Sequence, residues 1–197
     1  LDRWDVSVPL DETLSALAFA VQSGRVRHVG VSNLSAWQTA LVHAKFSSFN
    51  TGVSLVGSQS EYSLLNRKAE VELVPALEQL SMGLIACAGL GRGVLTGKYR
   101  AGVPADSRAA QPDWEAYVSA YLGPDQAHVV QASARAADAF GVPVGHVALA
   151  WLWQRRQVAS VVVGARTVAQ LTEAFGASTL ELPQPISQAL DDVSQEA

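Results

Sequence analysis

The stretch Val26-Arg-His-Val-Gly-Val-Ser-Asn-Leu-Ser35 decides the fold, because it reads as a β-strand that runs directly into a helix. The apolar run from Val26 to Val31 favours a short strand that ends at Ser32-Asn33. Ser35 then suits the N-cap of a helix extending to about Lys45, since its hydroxyl can accept a backbone N–H of the first turn. A strand followed at once by a capped helix is a building unit of α/β proteins.

The same unit recurs along the chain. A helix from Ser7 to Gly24 precedes it, with Pro9 in a position that suits a first turn. The later units are Val53 to Gln59 with a helix from Glu70 to Leu80, Gly83 to Ala88 with a loop, and Val158 to Val163 with a helix from Thr167. An insertion, Gly97 to Pro124, and helices from Asp125 to Phe140 and from Val144 to Arg155 precede the last strand. This alternation predicts a parallel sheet covered by helices.

Two parallel architectures fit the alternation. A doubly wound Rossmann sheet requires G-x-G-x-x-G directly after a strand and at the start of a helix. The run Gly89-Leu-Gly-Arg-Gly93 has a different spacing, and no helical pattern follows it directly. We therefore predict an α/β fold of the (β/α)8 TIM-barrel type.

Composition and charge argue against several classes of protein. The chain has 197 residues, 49% of them hydrophobic and 16% charged, which suits a single domain over residues 1–197. A formal net charge of -4 without a basic cluster argues against a nucleic-acid partner. No apolar run reaches the roughly 20 residues that a membrane span needs, and the N-terminus is unlike a signal peptide, so we expect a cytoplasmic location. The single Cys87 and the scattered histidines predict no metal site.

Small polar groups stand at the C-terminal ends of the predicted strands, where a barrel carries its functional residues. They are Ser32-Asn33, Gln59, Cys87 to Gly93, and Gly164-Ala-Arg166. Amide side chains can pair with a carboxamide, glycine backbone can approach oxyanions, and an Arg before a helix N-terminus favours phosphate. Each group also has a structural reading, with Asn33 in an ordinary left-handed turn, Gln59 as a polar group at a barrel mouth, and Cys87 as a small buried hydrophobe.

Five ordered strings in this chain resemble the aldo-keto reductase family. They are Gly30-Val-Ser-Asn33, Gln59-Ser-Glu-Tyr-Ser-Leu-Leu-Asn-Arg67, Leu90-Gly-Arg-Gly-Val-Leu-Thr-Gly-Lys-Tyr99, Val147-Ala-Leu-Ala-Trp-Leu152 and Gly164-Ala-Arg-Thr-Val-Ala-Gln-Leu171. The resemblance covers essentially the whole chain and is to the branch that contains bacterial reductases and potassium-channel β subunits. It implies a partial barrel from about strand 4 to strand 8 with C-terminal helices, the first strands being absent from this chain.

The resemblance also implies a cofactor, NADPH, and a small carbonyl substrate, and it allows for a homo-oligomer. Ser32, Asn33 and Gln59 would hold the nicotinamide carboxamide, and Cys87 stands where a Trp or Tyr usually borders that ring. Leu90 and Arg92 would lie along the pyrophosphate, while Lys98 and Arg108 would approach the phosphates from the insertion. Gly164, Arg166, Gln170 and Glu173 would line the adenosine end, with Arg166 as the candidate for the 2′-phosphate.

Several positions depart from the family pattern. Ala88-Gly89 replaces a frequent Ser-Pro, and Ala174 replaces an Asn that would hydrogen-bond the base, a loss of about 1 kcal/mol. The family's catalytic Tyr, Lys and Asp lie on strands before this chain begins, and Asp2 stands where the family has a His. A carboxylate there is a poor donor to a carbonyl oxygen unless it is protonated. We therefore assign no catalytic residue.

Three hypotheses follow. The first is an NADPH-dependent reductase of aldehydes or ketones, acting by hydride transfer. The second is a catalytically impaired nucleotide-binding or regulatory module that keeps the cofactor cradle, which Asp2, Cys87 and Ala174 favour. The third is a remnant that another chain completes.

Overall fold

Strands and helices alternate along the chain, as the sequence predicts. A computed structural model describes residues 1–49, 52 and 54–195. Within them the strands are β1 (Val29–Ser32), β2 (Leu55–Glu61), β3 (Gly83–Cys87) and β4 (Val158–Val161). The α-helices are α1 (Leu10–Gln22), α2 (Ala36–Ser47), α3 (Leu73–Gln79), α4 (Pro112–Ser119), α5 (Pro124–Phe140), α6 (Val144–Trp153), α7 (Val168–Gly176) and α8 (Gln184–Ser194). Short 3-10 helices cover Lys68–Glu70, Gly91–Thr96, Arg108–Ala110 and Ala177–Thr179.

The described strands form one sheet in the order β1-β2-β3-β4. β1 pairs with β2 in parallel, with Ser32 opposite Gln59, so that the C-terminal ends of both strands reach the same edge. Asp2 adds a parallel bridge to Ser32 on the other side of β1. The parallel sheet and the alternating helices confirm the predicted α/β class and agree with part of a (β/α)8 fold.

The described residues group into two compact units. Unit one comprises Leu1–Ser60 and Lys68–Ile85, and unit two comprises Glu61–Arg67 and Ala86–Ala197, of which residues 196 and 197 lie outside the described range. The prediction of one domain over residues 1–197 stays a prediction.

The core of unit one lies between its helices and strands. α1 buries Leu14 and Ala18 on one face, and α2 buries Val42 and Phe46. Leu14, Val42 and Phe46 have no exposed surface, and full burial of each such side chain contributes about 1.5–3 kcal/mol. The apolar faces of α1 and α2 therefore pack within unit one, where the two helices contact each other.

Unit two is built around α6, which is apolar on almost every side. Its Trp151 is fully buried, and the indole Nε1 donates to Asp191 Oδ1 at 3.0 Å. Arg67 Nη1 donates to the same oxygen at 3.1 Å, and Arg155 Nη2 donates to it as well. Asp191 therefore ties α8 to α6 through one carboxylate.

The two predicted helix caps that the structure tests are present. Ser35 accepts a hydrogen bond from Gln38 N at 3.4 Å, and Gln38 Oε1 accepts one from Ser35 N at 2.9 Å, which completes a capping box. Thr167 Oγ1 accepts from Gln170 N at 3.2 Å at the start of α7. Local side-chain chemistry fixes both helix starts.

Some predicted boundaries differ from the structure. β1 begins at Val29 rather than Val26, because Val26 N bonds back to the Ala20 carbonyl and so closes α1. β4 ends at Val161, although Val162 N still donates to the Ala86 carbonyl at 2.8 Å. The predicted start of β2 at Val53 lies outside the described residues.

The segment between β3 and α5 contains more structure than predicted. The Gly89–Gly93 run is followed by short 3-10 turns within Gly91–Thr96 that are interrupted by positive φ angles at Arg92 and Gly93, so no regular helix follows it directly, in agreement with the prediction. The insertion also contains α4, which starts with Pro112 and carries Asp113 and Glu115 in its first turn. Its helix signals are short and stand among Pro and Gly residues that mask any longer periodicity.

No helix in the part of the chain that the structure describes combines the length and the apolar character needed to cross a membrane.

Candidate functional site

Three predicted site residues meet in unit one, where β1 and β2 end. Asn33 N donates to the Gln59 carbonyl at 2.9 Å, and Asn33 Nδ2 donates to Ser32 Oγ at 3.1 Å. Gln59 Nε2 lies 3.5 Å from Ser32 Oγ. Asn33 has a left-handed backbone conformation with φ 58°, as the alternative of an ordinary turn predicts, and its side chain remains exposed. The group offers amide and hydroxyl groups for a polar ligand.

Asp2 joins this polar group and changes its charge. Its Oδ1 accepts from Asn33 Nδ2 at 3.0 Å. Hydrogen bonds from Ser32 and then Asn33 hold the pKa of the Asp2 carboxyl below its ordinary value, although the carboxyl is fully exposed. At neutral pH, Asp2 is therefore an ionised acceptor, and it takes up one N–H of the Asn33 amide.

A cavity of about 530 Å³ lies in unit two, a volume within the usual range for small-molecule sites. Its walls come from the segment after β3, the insertion, the first turn of α6, the segment after β4, and α7. Nine of the twelve predicted site residues line it: Cys87, Leu90, Arg92, Lys98, Arg108, Gly164, Arg166, Gln170 and Glu173. Residues far apart in the sequence are thus brought to one place.

Three exposed basic side chains face this cavity. They are Lys98 and Arg108 from the insertion and Arg166 from the segment after β4. Gly93 has φ 93°, and a Cβ built on it would lie 3.3 Å from Lys98 Nζ, so a larger residue there would press on the ammonium group. A Cβ on Gly164 would meet no atom within 4 Å, which leaves open space beside Arg166. The chemistry suits an anionic ligand.

The α7 end of the cavity is organised by backbone hydrogen bonds. Arg166 N donates to Gln170 Oε1 at 2.8 Å, so the Gln170 carbonyl oxygen is already used within the protein. Glu173 supplies a carboxylate, and Ala174 is buried with 8% of its surface exposed. The Gln170 amide nitrogen and the Glu173 carboxylate are the polar groups that this end presents.

Arg92 lines the cavity, but its guanidinium is paired with other groups of the protein. Its Nε and Nη2 donate to Glu61 Oε1 and Oε2 at 3.0 and 2.8 Å, and its Nη1 donates to the Tyr117 carbonyl at 2.6 Å. Partial burial works to lower the pKa of Arg92, but the hydrogen bonds and charge of Glu61 outweigh it and raise the pKa. Arg92 thus lines the cavity while its guanidinium is bonded to Glu61 and Tyr117, and its place along the pyrophosphate stays a prediction.

Tyr121 completes the arrangement around Arg92. Its hydroxyl donates to Glu61 Oε1 at 3.0 Å and accepts from Asn66 Nδ2 at 2.9 Å. Burial above all, with the charge of Glu61, raises the pKa of Tyr121 to about 12. No local sequence pattern links Glu61 with Tyr117 or Tyr121, because these residues lie far apart in the chain.

Cys87 and His146 also line the cavity. Burial and the nearby Glu61 charge raise the pKa of the Cys87 thiol, which makes it a poor nucleophile at neutral pH. His146 lies in the first turn of α6, and no motif of the sequence marks it as a site residue. Its buried Nε2 has no hydrogen-bond partner among the described residues, and a Cβ on Gly176 would lie 2.9 Å from its Cε1.

Across residues 1–49, 52 and 54–195, no three His, Cys, Asp or Glu side chains gather as a set of metal ligands.

Comparison with known proteins identifies related sequences. The model of the Aldo/keto reductase family matches residues 1–195. An L-glyceraldehyde 3-phosphate reductase of Escherichia coli O157:H7 is 34% identical over 96% of this chain and 57% of its own length. A probable voltage-gated potassium channel subunit beta of Arabidopsis thaliana is 32% identical over 98% of the chain and 59% of its own length. The chain thus spans somewhat more than half the length of these curated relatives.

Proposed function

Because the chain belongs to the aldo/keto reductase family, we propose that it is the cofactor-binding part of an NADPH-dependent oxidoreductase that reduces aldehydes or ketones to alcohols. Bound NADPH would supply the hydride. The chain's own residues would bind, orient and neutralise the nucleotide. One relative is an L-glyceraldehyde 3-phosphate reductase, so a small carbonyl compound is the first substrate class to test.

The observation that carries the proposal is the cavity of about 530 Å³ with three basic side chains around it. Lys98 and Arg108 would neutralise the pyrophosphate, and Leu90 would lie beside it. The N-terminus of α7 adds the positive end of a helix dipole near Arg166. The open space at Gly164 and the exposed guanidinium of Arg166 support a phosphate at this end.

The polar group of unit one would hold the nicotinamide carboxamide. Ser32, Asn33 and Gln59 lie within hydrogen-bond reach of one another and offer donors and acceptors of the right kind. Cys87 would border the nicotinamide ring, with less contact area than an aromatic residue gives. Gln170 and Glu173 would contact the adenosine.

Titration of the full-length protein with NADPH, followed by quenching of tryptophan fluorescence, tests cofactor binding. Arg166→Ala should weaken NADPH binding about tenfold or more and leave NADH binding nearly unchanged, since only NADPH carries the 2′-phosphate. Arg135→Ala, which removes an exposed arginine from α5, is the matched control and should leave both affinities unchanged. Absence of quenching in the unmodified protein, or equal losses for both nucleotides, would contradict the proposal.

A second candidate function is a nucleotide-binding or regulatory module with impaired catalysis. The observation that favours it is the ionised Asp2 carboxylate beside Asn33, where a carbonyl reductase benefits from a donor. The potassium channel subunit beta relative belongs to the same family. NADPH binding without NADPH consumption across a panel of aldehydes, in both the unmodified protein and Asp2→His, would favour this function; turnover by the unmodified protein would exclude it.

The cytoplasmic location and a homo-oligomer stay predictions from the sequence.

A further inference from the structure

Arg92 stands in an unusual stretch of backbone next to the cavity. Its φ is 59°, between Gly91 at 55° and Gly93 at 93°, so three consecutive residues are left-handed. Such a conformation is costly for a residue with a side chain, and it persists only where the surroundings hold it. The surroundings here are Glu61, Tyr117 and Tyr121, which we call the Arg92 cluster together with Arg92 itself.

We propose that Arg92 is a positioning residue: the Arg92 cluster fixes α4 as a preformed wall of the cavity, and Arg92 does not itself bind the phosphates. The identity of the ligand as NADPH rests on the proposed function, whereas the role of Arg92 in fixing α4 does not.

The first argument is charge. Arg92 forms a two-pronged ion pair with Glu61, and the side chains are only 16% and 24% exposed. The pair is neutral as a whole, so it offers no net attraction to phosphate. Lys98, Arg108 and Arg166 line the same cavity and are exposed. Their charges are the ones available to an anion.

The second argument concerns the end of α4. The last carbonyls of a helix have no partner within it, and they carry the negative end of the dipole. α4 ends at Ser119, and Tyr121 N bonds to the Val118 carbonyl, so the Tyr117 carbonyl needs another donor. Arg92 Nη1 supplies it at 2.6 Å. A cation thus caps the helix at its C-terminal end.

The third argument is the packing of two rings against the guanidinium. Arg92 Cζ lies 3.9 Å from the ring centroid of Tyr117 and 4.4 Å from that of Tyr121. Tyr121 also donates to Glu61 at 3.0 Å, which closes a ring of contacts. Tyr117 belongs to α4 and lines the cavity. The Arg92 cluster therefore connects the segment after β3 with the insertion.

The fourth argument is the length of α4. It has 8 residues, and helices shorter than about 12 residues are marginal in water without tertiary support. Its helical state must therefore depend on contacts such as those of Tyr117 with Arg92. A wall that is already formed spares the ligand the entropy of ordering it, which should slow nucleotide release.

Hydrogen–deuterium exchange of the ligand-free, full-length protein tests the proposal without NADPH. Arg92→Met should speed exchange of the α4 amides about tenfold, while those of α6 stay unchanged. Arg92→Lys should give an intermediate exchange rate, because Lys keeps the positive charge but cannot form the two-pronged pair of a guanidinium with a carboxylate. Arg135→Met, on the exposed face of α5, is the control and should leave α4 unchanged. Unchanged α4 exchange in Arg92→Met would overturn the proposal whatever NADPH does.

Glu61→Gln separates positioning from phosphate binding and needs no change at Arg92. If Arg92 positions α4, this variant should speed α4 exchange and raise the NADPH dissociation rate about tenfold in stopped-flow fluorescence. If Arg92 binds phosphate, freeing its charge should slow dissociation and tighten NADPH, and that result would overturn the proposal. Should the unmodified protein fail to bind NADPH, the proposed function fails, and α4 exchange still decides the role of Arg92.

Discussion

At the scale of single residues, Glu61 is the charge that governs its neighbourhood in unit two. It pairs with Arg92, accepts from Tyr121, and contributes to the raised pKa of both Tyr121 and Cys87. Burial is the larger cause of both pKa shifts, and the Glu61 carboxylate adds to it because it disfavours a second negative charge on the nearby phenol or thiol. In unit one the effect has the opposite sign, because hydrogen bonds from hydroxyl and amide donors favour the ionised form of the Asp2 carboxyl.

Tyr121 should make stability fall at alkaline pH. Its pKa is about 12 in the folded protein against 10.0 ordinarily, so stability is full below pH 10 and is lost as the pH rises toward 12. Tyr121→Phe lacks this loss. The unmodified protein should be more stable than Tyr121→Phe at pH 9, and the difference in free energy of unfolding should shrink by about 1 kcal/mol between pH 10 and 11. Urea unfolding at three pH values measures it, and a constant or growing difference would contradict the assignment.

Cys87 should react slowly with alkylating agents. Its thiol pKa is raised above the ordinary 9.0, first by burial and then by Glu61, so the thiolate is scarce at neutral pH. The rate of alkylation by iodoacetamide should therefore remain below half of its alkaline plateau at pH 9. The sequence contains a single cysteine, so mass spectrometry reads this thiol alone. A half-maximal rate below pH 8 would show that the thiol is activated instead.

At the scale of elements, a helix cap is the feature that sequence predicts best. Ser35 and Thr167 could be predicted because each cap depends on a side chain and a backbone N–H three residues away. The start of β1 could not, since the Val26 amide is used by Ala20 at the end of α1. α4 was missed for a related reason: its stabilising partner Arg92 lies 25 residues away from Tyr117 in the chain.

Ser35→Ala should destabilise the protein by about 1 kcal/mol, because it removes the acceptor of the capping box while α2 keeps its apolar face. Ser47→Ala is the control at the other end of α2, where the exposed hydroxyl donates to the His43 carbonyl within the same helix. It should change stability by less than about 0.5 kcal/mol. The midpoints of urea unfolding, measured with unchanged m-values, compare the two variants. Equal losses of unfolding free energy would mean that the cap contributes nothing specific.

At the scale of the whole molecule, the family and the α/β class could be predicted from the order of the strings and the alternation of strands and helices. Some candidate site residues could be listed because parallel strands present their C-terminal ends together, whereas Lys98, Arg108, Gln170 and Glu173 were implied only by the family resemblance. Nine of the candidates line one cavity. Which charges remain available could not be predicted. That depends on long-range partners such as Glu61, which only the folded chain brings to Arg92.

Asp191 should be important to the stability of the protein as a whole. It accepts from Trp151, Arg67 and Arg155, and its side chain is 14% exposed. Asp191→Ala leaves two partly buried guanidinium groups without this carboxylate and should cost about 3 kcal/mol. The neighbouring exposed Asp192→Ala should cost less than about 0.5 kcal/mol. Thermal unfolding with both variants measures the difference, and similar midpoints would refute this role.

Gly89 carries a consequence for how this chain can change by mutation. A Cβ on Gly89 would lie 2.5 Å from Leu152 Cδ1, so Leu152 fills the space that a side chain at position 89 would need. Overpacking of this kind costs about 1–3 kcal/mol, and a smaller residue at position 152 would relieve it. We therefore expect the two positions to be coupled, so that a side chain at position 89 destabilises the protein less when the residue at position 152 is smaller. The proline that the family often has at this position would meet the same Leu152 methyl group, so we expect Gly89→Pro to be tolerated better together with Leu152→Val.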